Sequence, residues 1–261
     1  MNRFRQSLAI ALRVFDYSET SQVVQLYSRE LGRVHAIAKG SKRRRSAFHG
    51  AFDVLSLYDI QRLEKQPGTL DLLTAAETLE DFRRVRADFT RFSAASYCAD
   101  LVAEATQEGM PQPDLFDALR AALASLDAGD PLPDTVFRFE AILLHVLGHF
   151  PRLQPCGSCG RPLSGPEAWF SVRDGGVLCV HCPPRDPVRM MVKRIVIDAL
   201  AAFHKGKAFN LSVYPQLTDD LRRLLDMHIR GVLDREPKSA RFMRAALLSG
   251  ISTPSPARPS R

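Results

Sequence analysis

The residues with the clearest chemistry are four cysteines in two pairs, Cys156-Gly-Ser-Cys159 and Cys179-Val-His-Cys182, separated by nineteen residues. Each C-x-x-C knuckle turns tightly enough to aim both sulfurs at one point. Two facing knuckles complete the tetrahedron that a structural zinc ion prefers. Between them, Trp169-Phe170-Ser171-Val172 and Val177-Leu178 have strand character, and Asp174-Gly175-Gly176 supplies hairpin turn chemistry. The pattern reads as a zinc ribbon in which Cys156, Cys159, Cys179 and Cys182 hold one structural Zn2+. Other uses of the same residues fit less well. Two disulfides would leave Cys98 odd, and the N-terminus has no secretory pattern. A thioredoxin-like redox pair needs one C-x-x-C beside a βαβ unit, and the sequence shows none. A catalytic zinc keeps one position open, whereas four thiolates fill the shell. His181 could displace a cysteine, although inside a knuckle a solvated imidazole is the ordinary outcome.

A second chemistry is ionic. Lys39-Gly-Ser-Lys42-Arg43-Arg44-Arg45 sets five cations within seven residues. They cannot all be buried, and something must offset their repulsion. Phosphates would do so, releasing condensed counterions and giving salt-dependent affinity without sequence preference. The competing readings are a solvated loop or a localisation-like run. Tyr17, Tyr27, Phe48, Phe52 and Tyr58 lie close in sequence and could stack on bases or fill a core. Arg62 and Lys65, in an expected turn between two strands, join Lys39, Lys42, Arg43, Arg44 and Arg45 as candidate DNA contacts.

No catalytic constellation accompanies these groups. Lys205-Gly206-Lys207 lacks the remainder of a phosphate-binding loop, and no serine sits in a nucleophile elbow. His145 and His149 are spaced i, i+4 on an expected helix but lack the glutamate of a zinc protease motif. They read as packing or surface residues. The chain is expected to be non-enzymatic.

The elements that must position these residues follow from periodicity. Five runs, around residues 9–15, 21–27, 33–38, 54–60 and 69–75, read as short strands with turn signals between them, one of those at Pro67-Gly68, and the fourth alternates apolar and polar residues. Five strands in this length suit a small Greek-key barrel, an OB-fold above all, although an SH3-like barrel would read similarly. From Leu79 the period becomes helical. Phe82, Val85, Phe89, Phe92, Ala95 and Cys98 share one face, and the run is expected to continue to Thr106. Further helices are expected over 114–126, from an Asp134 cap to Phe150, from Pro187 to Gly206, from a Thr218 cap to Pro237, and over 240–248. The expected architecture is α+β and multidomain. It comprises an OB barrel over 1–79, a helical domain over 80–150 and 187–249, a zinc-ribbon insert over 151–186 and a disordered tail over 250–261.

Charge is segregated along the 261 residues. Residues 1–45 carry ten Lys/Arg against three Asp/Glu, residues 46–184 eleven against nineteen, and residues 185–261 fifteen against seven. The excesses of +7, −8 and +8 sum to the net +7. Basic ends around an acidic middle suggest a polyanionic partner. The longest apolar run, Ile142 to Leu147, is too short for a membrane span and contains His145. The chain reads as soluble and cytoplasmic, a reducing compartment that suits thiolate ligands.

A basic five-strand barrel, then helices, then a cysteine ribbon inserted among them, closely resembles the RecO family of bacterial recombination mediators. The most specific matching segments are Tyr17-Ser18-Glu19-Thr20-Ser21, Leu31-Gly32-Arg33-Val34, Ala38-Lys39-Gly40 and the ribbon. The resemblance implies a protein without catalytic activity that binds single- and double-stranded DNA and anneals complementary strands. It further implies partnership with RecR and with the acidic C-terminal tail of single-stranded DNA-binding protein, in loading RecA at gaps and breaks. A nucleoid-associated location follows. Only the four cysteines and the basic loop carry over residue by residue. Two other classes remain open: a sequence-specific zinc-containing regulator, and a scaffold whose basic faces hold acidic protein tails.

Overall fold

The computed structural model describes residues 4–65, 69–207, 209–211 and 216–250. Strands β1 (Phe4–Asp16), β2 (Gln22–Ser28), β3 (Gly32–Ala38), β4 (Leu57–Leu63) and β5 (Asp71–Glu80) close into a barrel in the order β1-β2-β3-β5-β4. All pairings are antiparallel except β3 with β5, where Ala36 and Ile37 lie beside Asp71 and Leu72. This is the OB arrangement. Its lumen is narrow and filled by small or branched residues: Ala9, Ala11, Val24, Leu26, Val34, Ala36, Ile60 and Leu73, capped by Phe48 and Phe52.

Closure depends on β1, which at 13 residues serves two neighbours. Its first half pairs with β4, its second with β2, and a bulge between Ala11 and Arg13 bends it from one to the other. The backbone of Ala11 is satisfied from the next segment, with Leu55 N donating to Ala11 O at 2.7 Å and Ala11 N to Ser56 O at 3.1 Å.

The helices are α1 (Arg83–Ala87), α2 (Phe89–Ala105), α3 (Pro113–Ala128), α4 (Leu132–Val146), α5 (Arg194–His204), α6 (Leu217–Leu233) and α7 (Ala240–Gly250). Several elements differ from the sequence expectation. The run expected from Leu79 to Thr106 begins only at Arg83, after β5, and is broken at Asp88. That residue is extended, and its carboxylate caps α2 by accepting from Thr90 N (2.8 Å) and Arg91 N (3.1 Å). Phe89 consequently leaves the apolar face and is exposed. The helix expected from Asp134 starts earlier, with Pro131 at the cap and Asp134 in the first turn. It also ends earlier, because Gly148 takes φ +75° and His149 N returns to Leu144 O at 2.7 Å. His145 and His149 therefore do not share a helix. Thr218 lies inside α6, behind Gln216.

The segment after Pro187, expected as helix, is first a strand. β6 (Glu167–Ser171) pairs with β7 (Gly176–Leu178) on one edge and with β8 (Arg189–Lys193) on the other. An uncovered β6 edge would leave its backbone groups unpaired, and β8 fills it before α5 begins. Helices and ribbon share one core: Phe170, Val177 and Val192 belong to the same buried cluster as Phe137, Phe203 and Leu225. The barrel docks on this body at Gly32, where a Cβ would stand 2.6 Å from the Met110 backbone. The tail expected to be disordered lies outside the described residues apart from Gly250, which ends α7, and so does the turn at Pro67-Gly68.

Candidate metal centre and nucleic-acid interface

Backbone hydrogen bonds close both knuckles. Cys156 N donates to Arg161 O (3.0 Å) and Gly160 N to Cys156 O (3.0 Å), and Cys182 N donates to Cys179 O (2.9 Å). The four Sγ atoms all lie within 4.8 Å of one another, with Cys159 and Cys179 at 3.9 Å. A tetrahedral ion with metal–sulfur bonds of ordinary zinc length needs sulfurs about 3.8 Å apart, so the donor set fits. Cys179 N also donates to Cys156 Sγ at 3.3 Å, orienting that sulfur. The side chain and backbone of Arg161 hydrogen-bond to Cys159 and bring its thiol down to about 6, so it is a thiolate at neutral pH. Cys182, hydrogen-bonded to Cys179, is pushed up to about 11; a bound cation relieves such crowding of thiolates.

The centre is buried on one side: Cys156 and Cys179 pack with Leu163, Trp169 and Leu178 in a small core of their own, whereas Cys182 is half-buried and Cys159 exposed, and Arg189 lies over the Trp169 ring at 5.3 Å. Gly176 is required here, because a Cβ would meet Arg152 O at 2.2 Å where the hairpin forms an isolated bridge with the segment after α4. The fifth cysteine, Cys98, is buried in α2 and its thiol is pushed well up by burial.

On the barrel, ion pairing separates structural cations from free ones. Arg13 reaches Asp100 at 3.0 Å, and Arg29 grips Asp117 with two hydrogen bonds of 3.0 and 2.9 Å. Arg33 donates to the carbonyl of Ala103. These three fasten the barrel to the helices. Lys42 is half-buried and its Nζ lies 2.5 Å from Asp16 Oδ1. Lys39, Arg43, Arg44 and Arg45 are exposed, and among the described residues no carboxylate pairs with them. Much of the basic excess of the N-terminal stretch is thus engaged inside the structure, and what remains concentrates on this loop.

The loop is fixed at its root. Gly40 N donates to Ser21 Oγ (3.1 Å), Ser41 Oγ to Gln22 Oε1 (2.9 Å) and Lys42 N to Thr20 O (3.1 Å). The β3–β4 connection is therefore joined to the β1–β2 turn. Lys65 is exposed in the β4–β5 connection. Arg62 is not in that turn as expected. It lies within β4, largely buried, paired with Asp71 of β5.

The aromatic residues also separate. Tyr27, Phe48, Phe52 and Tyr58 are buried, the last three packing ring to ring at 5.7 and 4.7 Å. Tyr17 is 66% exposed. Phe15, absent from the sequence-derived candidates, is 57% exposed. Counting by twos from Ala9 and Ala11 puts Phe15 in the lumen; the bulge shifts the parity, sending Val14 inward and Phe15 out.

Comparison with known proteins agrees with this construction. The family described as Recombination protein O N terminal matches residues 1–82, the barrel, and the one described as Recombination protein O C terminal matches residues 86–241, the helices and ribbon. The DNA repair protein RecO of Rhodopirellula baltica is 31% identical over 264 residues, covering 90% of this chain and 97% of the relative. The DNA repair protein RecO of Bacillus subtilis (strain 168) is 31% identical over 238 residues, covering 90% and 91%. With both halves matched in order and relatives aligned along nine tenths of its length, the chain belongs to the RecO family of DNA repair proteins.

Proposed function

We propose that this chain is a non-enzymatic recombination mediator. It binds single- and double-stranded DNA through the barrel loop Lys39–Arg45, with Lys65 contributing from the β4–β5 connection. It anneals complementary strands and, with RecR and the acidic tail of single-stranded DNA-binding protein, helps load RecA on covered DNA. Its setting is the cytoplasm, at the nucleoid. The observation that carries this reading is the set of exposed cations Lys39, Arg43, Arg44 and Arg45, held on a rigid barrel without carboxylate partners among the described residues. Annealing needs no reacting group. Two polyanionic strands repel, and cations on the protein lower that repulsion while base edges stay free to pair. The four cysteines hold one Zn2+ in a structural role, keeping the ribbon folded against the helices.

The decisive assay is annealing of complementary strands coated with their binding protein, with wild-type chain and with Lys42→Ala/Arg43→Ala/Arg44→Ala/Arg45→Ala. The variant is expected to anneal poorly and to bind all sequences more weakly, with the salt slope shallower by about one for each phosphate that is no longer neutralised. Arg62→Ala serves as the contrast: its ion pair with Asp71 makes it a stability residue, so it should lower the unfolding temperature more than the DNA affinity. Unchanged affinity and salt slope in the loop variant would remove the loop from the mechanism.

A further inference from the structure

Phe15, Val23, Ile37 and Leu72 are neighbours in register across β1, β2, β3 and β5. The residues beside them in sequence, Val14, Val24, Ala36 and Leu73, face the barrel core. The row therefore lies on the outside, with Phe15 exposed and the other three half-exposed. An apolar row of this kind on a barrel surface marks a contact surface. Its neighbour is the basic loop. Phe15 and Tyr17 flank Asp16, and Asp16 takes the ammonium of Lys42 at 2.5 Å. That pair, with Lys42 N donating to Thr20 O at 3.1 Å, ties the end of β1 and the turn that carry these two exposed rings to the loop that carries Arg43, Arg44 and Arg45.

A ligand that satisfies both surfaces must carry closely spaced negative charges and flat apolar faces, and a nucleic-acid strand with unpaired bases carries both. We infer that Phe15 and Tyr17 stack on the bases of a single strand whose phosphates lie on Arg43–Arg45, with Val23 and Ile37 as an apolar floor. The inference rests on the loop being a DNA contact and adds what the loop cannot supply, a preference for unpaired strands. Cations attract duplex and single strand alike, whereas a duplex keeps its base faces in its own stack.

The test uses the full chain and two fluorescent strands of equal length, oligothymidine and an abasic deoxyribose-phosphate strand, titrated at several salt concentrations. Wild type should bind oligothymidine the more tightly. Phe15→Ala/Tyr17→Ala should lose on the order of tenfold or more on oligothymidine and nothing on the abasic strand, with its salt slope kept. Phe15→Trp/Tyr17→Trp should restore the preference, and its emission, above that of Trp169, should be quenched by oligothymidine alone. Both rings are exposed, so the alanine variant should keep its unfolding temperature; if it does not, the tryptophan quenching decides. Equal wild-type affinity for the two strands, equal losses on both in the alanine variant, or quenching by the abasic strand would overturn the stacking assignment. Arg43→Ala/Arg44→Ala/Arg45→Ala should weaken both strands and flatten the slope. If that variant binds as wild type while the ring variant behaves as described, the loop reading fails and stacking stands. No binding of either strand by wild type overturns both.

Discussion

Arg222 Nη1 lies 2.8 Å from Glu140 Oε1 inside the helical body, with the two side chains 8% and 0% exposed. Tyr97 donates to the same carboxylate at 2.6 Å, and the guanidinium lies over the rings of Tyr97 and Phe137, 5.8 Å from each. Burial works against its charge, but Glu140, Tyr97 and Asp226 more than compensate and hold Arg222 protonated. The chain of charges continues outward: Arg222 Nη2 to Asp226 at 2.9 Å, Asp226 to Arg244 at 3.4 Å, Arg244 to Glu236 at 2.6 Å. A line of alternating charges thus joins α4 to α6 and α7.

Removing one partner of such a pair strands the other in an apolar interior. Arg222→Ala is expected to cost about 3–5 kcal/mol in chemical denaturation. Glu140→Leu combined with Arg222→Leu removes both charges and with them the desolvation penalty, so much of that loss should return. A double variant as unstable as the single one would show that the pair stabilises the fold beyond its own desolvation.

His228 of α6 gives a pH dependence with a definite sign. Its Nε2 lies 2.7 Å from His149 O, its Nδ1 has no hydrogen-bond partner among the described residues, and its ring meets Phe170 of β6 edge-on at 5.5 Å. Burial holds the imidazole below its ordinary 6.5. The neutral ring donates from Nε2, and protonation would place a second N–H at Nδ1, where no described residue accepts it. Between the lowered value and 6.5 the unfolded chain binds a proton that the folded chain refuses, so stability rises with pH across that window and is lost as pH falls below about 6.5. His204, lowered by its own burial and by His145, acts in the same direction. Thermal unfolding from about pH 8 to 5 should show this decline, and His228→Gln, which keeps a donor for His149 O without titrating, should flatten it. An unchanged slope in that variant would assign the effect elsewhere.

What the sequence revealed and what it hid follow one division. The barrel strands were legible because short apolar runs between turn residues are a local signal, and the cysteine knuckles because ligand spacing is local. β8 was not, since residues 189–193 become a strand only because β6 has an open edge to fill. Asp88 hid a helix break inside a continuous apolar period, because the winning interaction was a side-chain cap. In the candidate interface the run from Lys39 to Arg45 was plain, but Arg62 could not be sorted without its partner Asp71 on another strand. Phe15 was concealed by the bulge, which reverses the parity on which any strand reading depends.

The metal centre should be separable from DNA binding. Among the described residues only Leu163, Trp169 and Leu178 form a core around the sulfurs, far too little to hold two knuckles against chain entropy. Deeper in, Phe170 and Val177 are anchored in the main core, so this part of the hairpin is expected to stay in place when the metal is lost. Cys156→Ser would replace one of four thiolates by a hydroxyl, and on the proposed zinc role the metal-binding energy, which is folding energy, should be lost locally. We expect one zinc ion per chain in the wild type by chelator-release assay and little in the variant. Limited proteolysis should open the segment between Cys156 and Trp169 before any cut in the barrel. Affinity for single strands should stay near wild type, because Lys39–Arg45 is rooted on Ser21 and Gln22 of the barrel. If the variant kept its metal and its protease resistance, three sulfurs and water would suffice and the closed four-thiolate site would be wrong. If it kept its fold but lost DNA, the ribbon rather than the barrel would carry the binding.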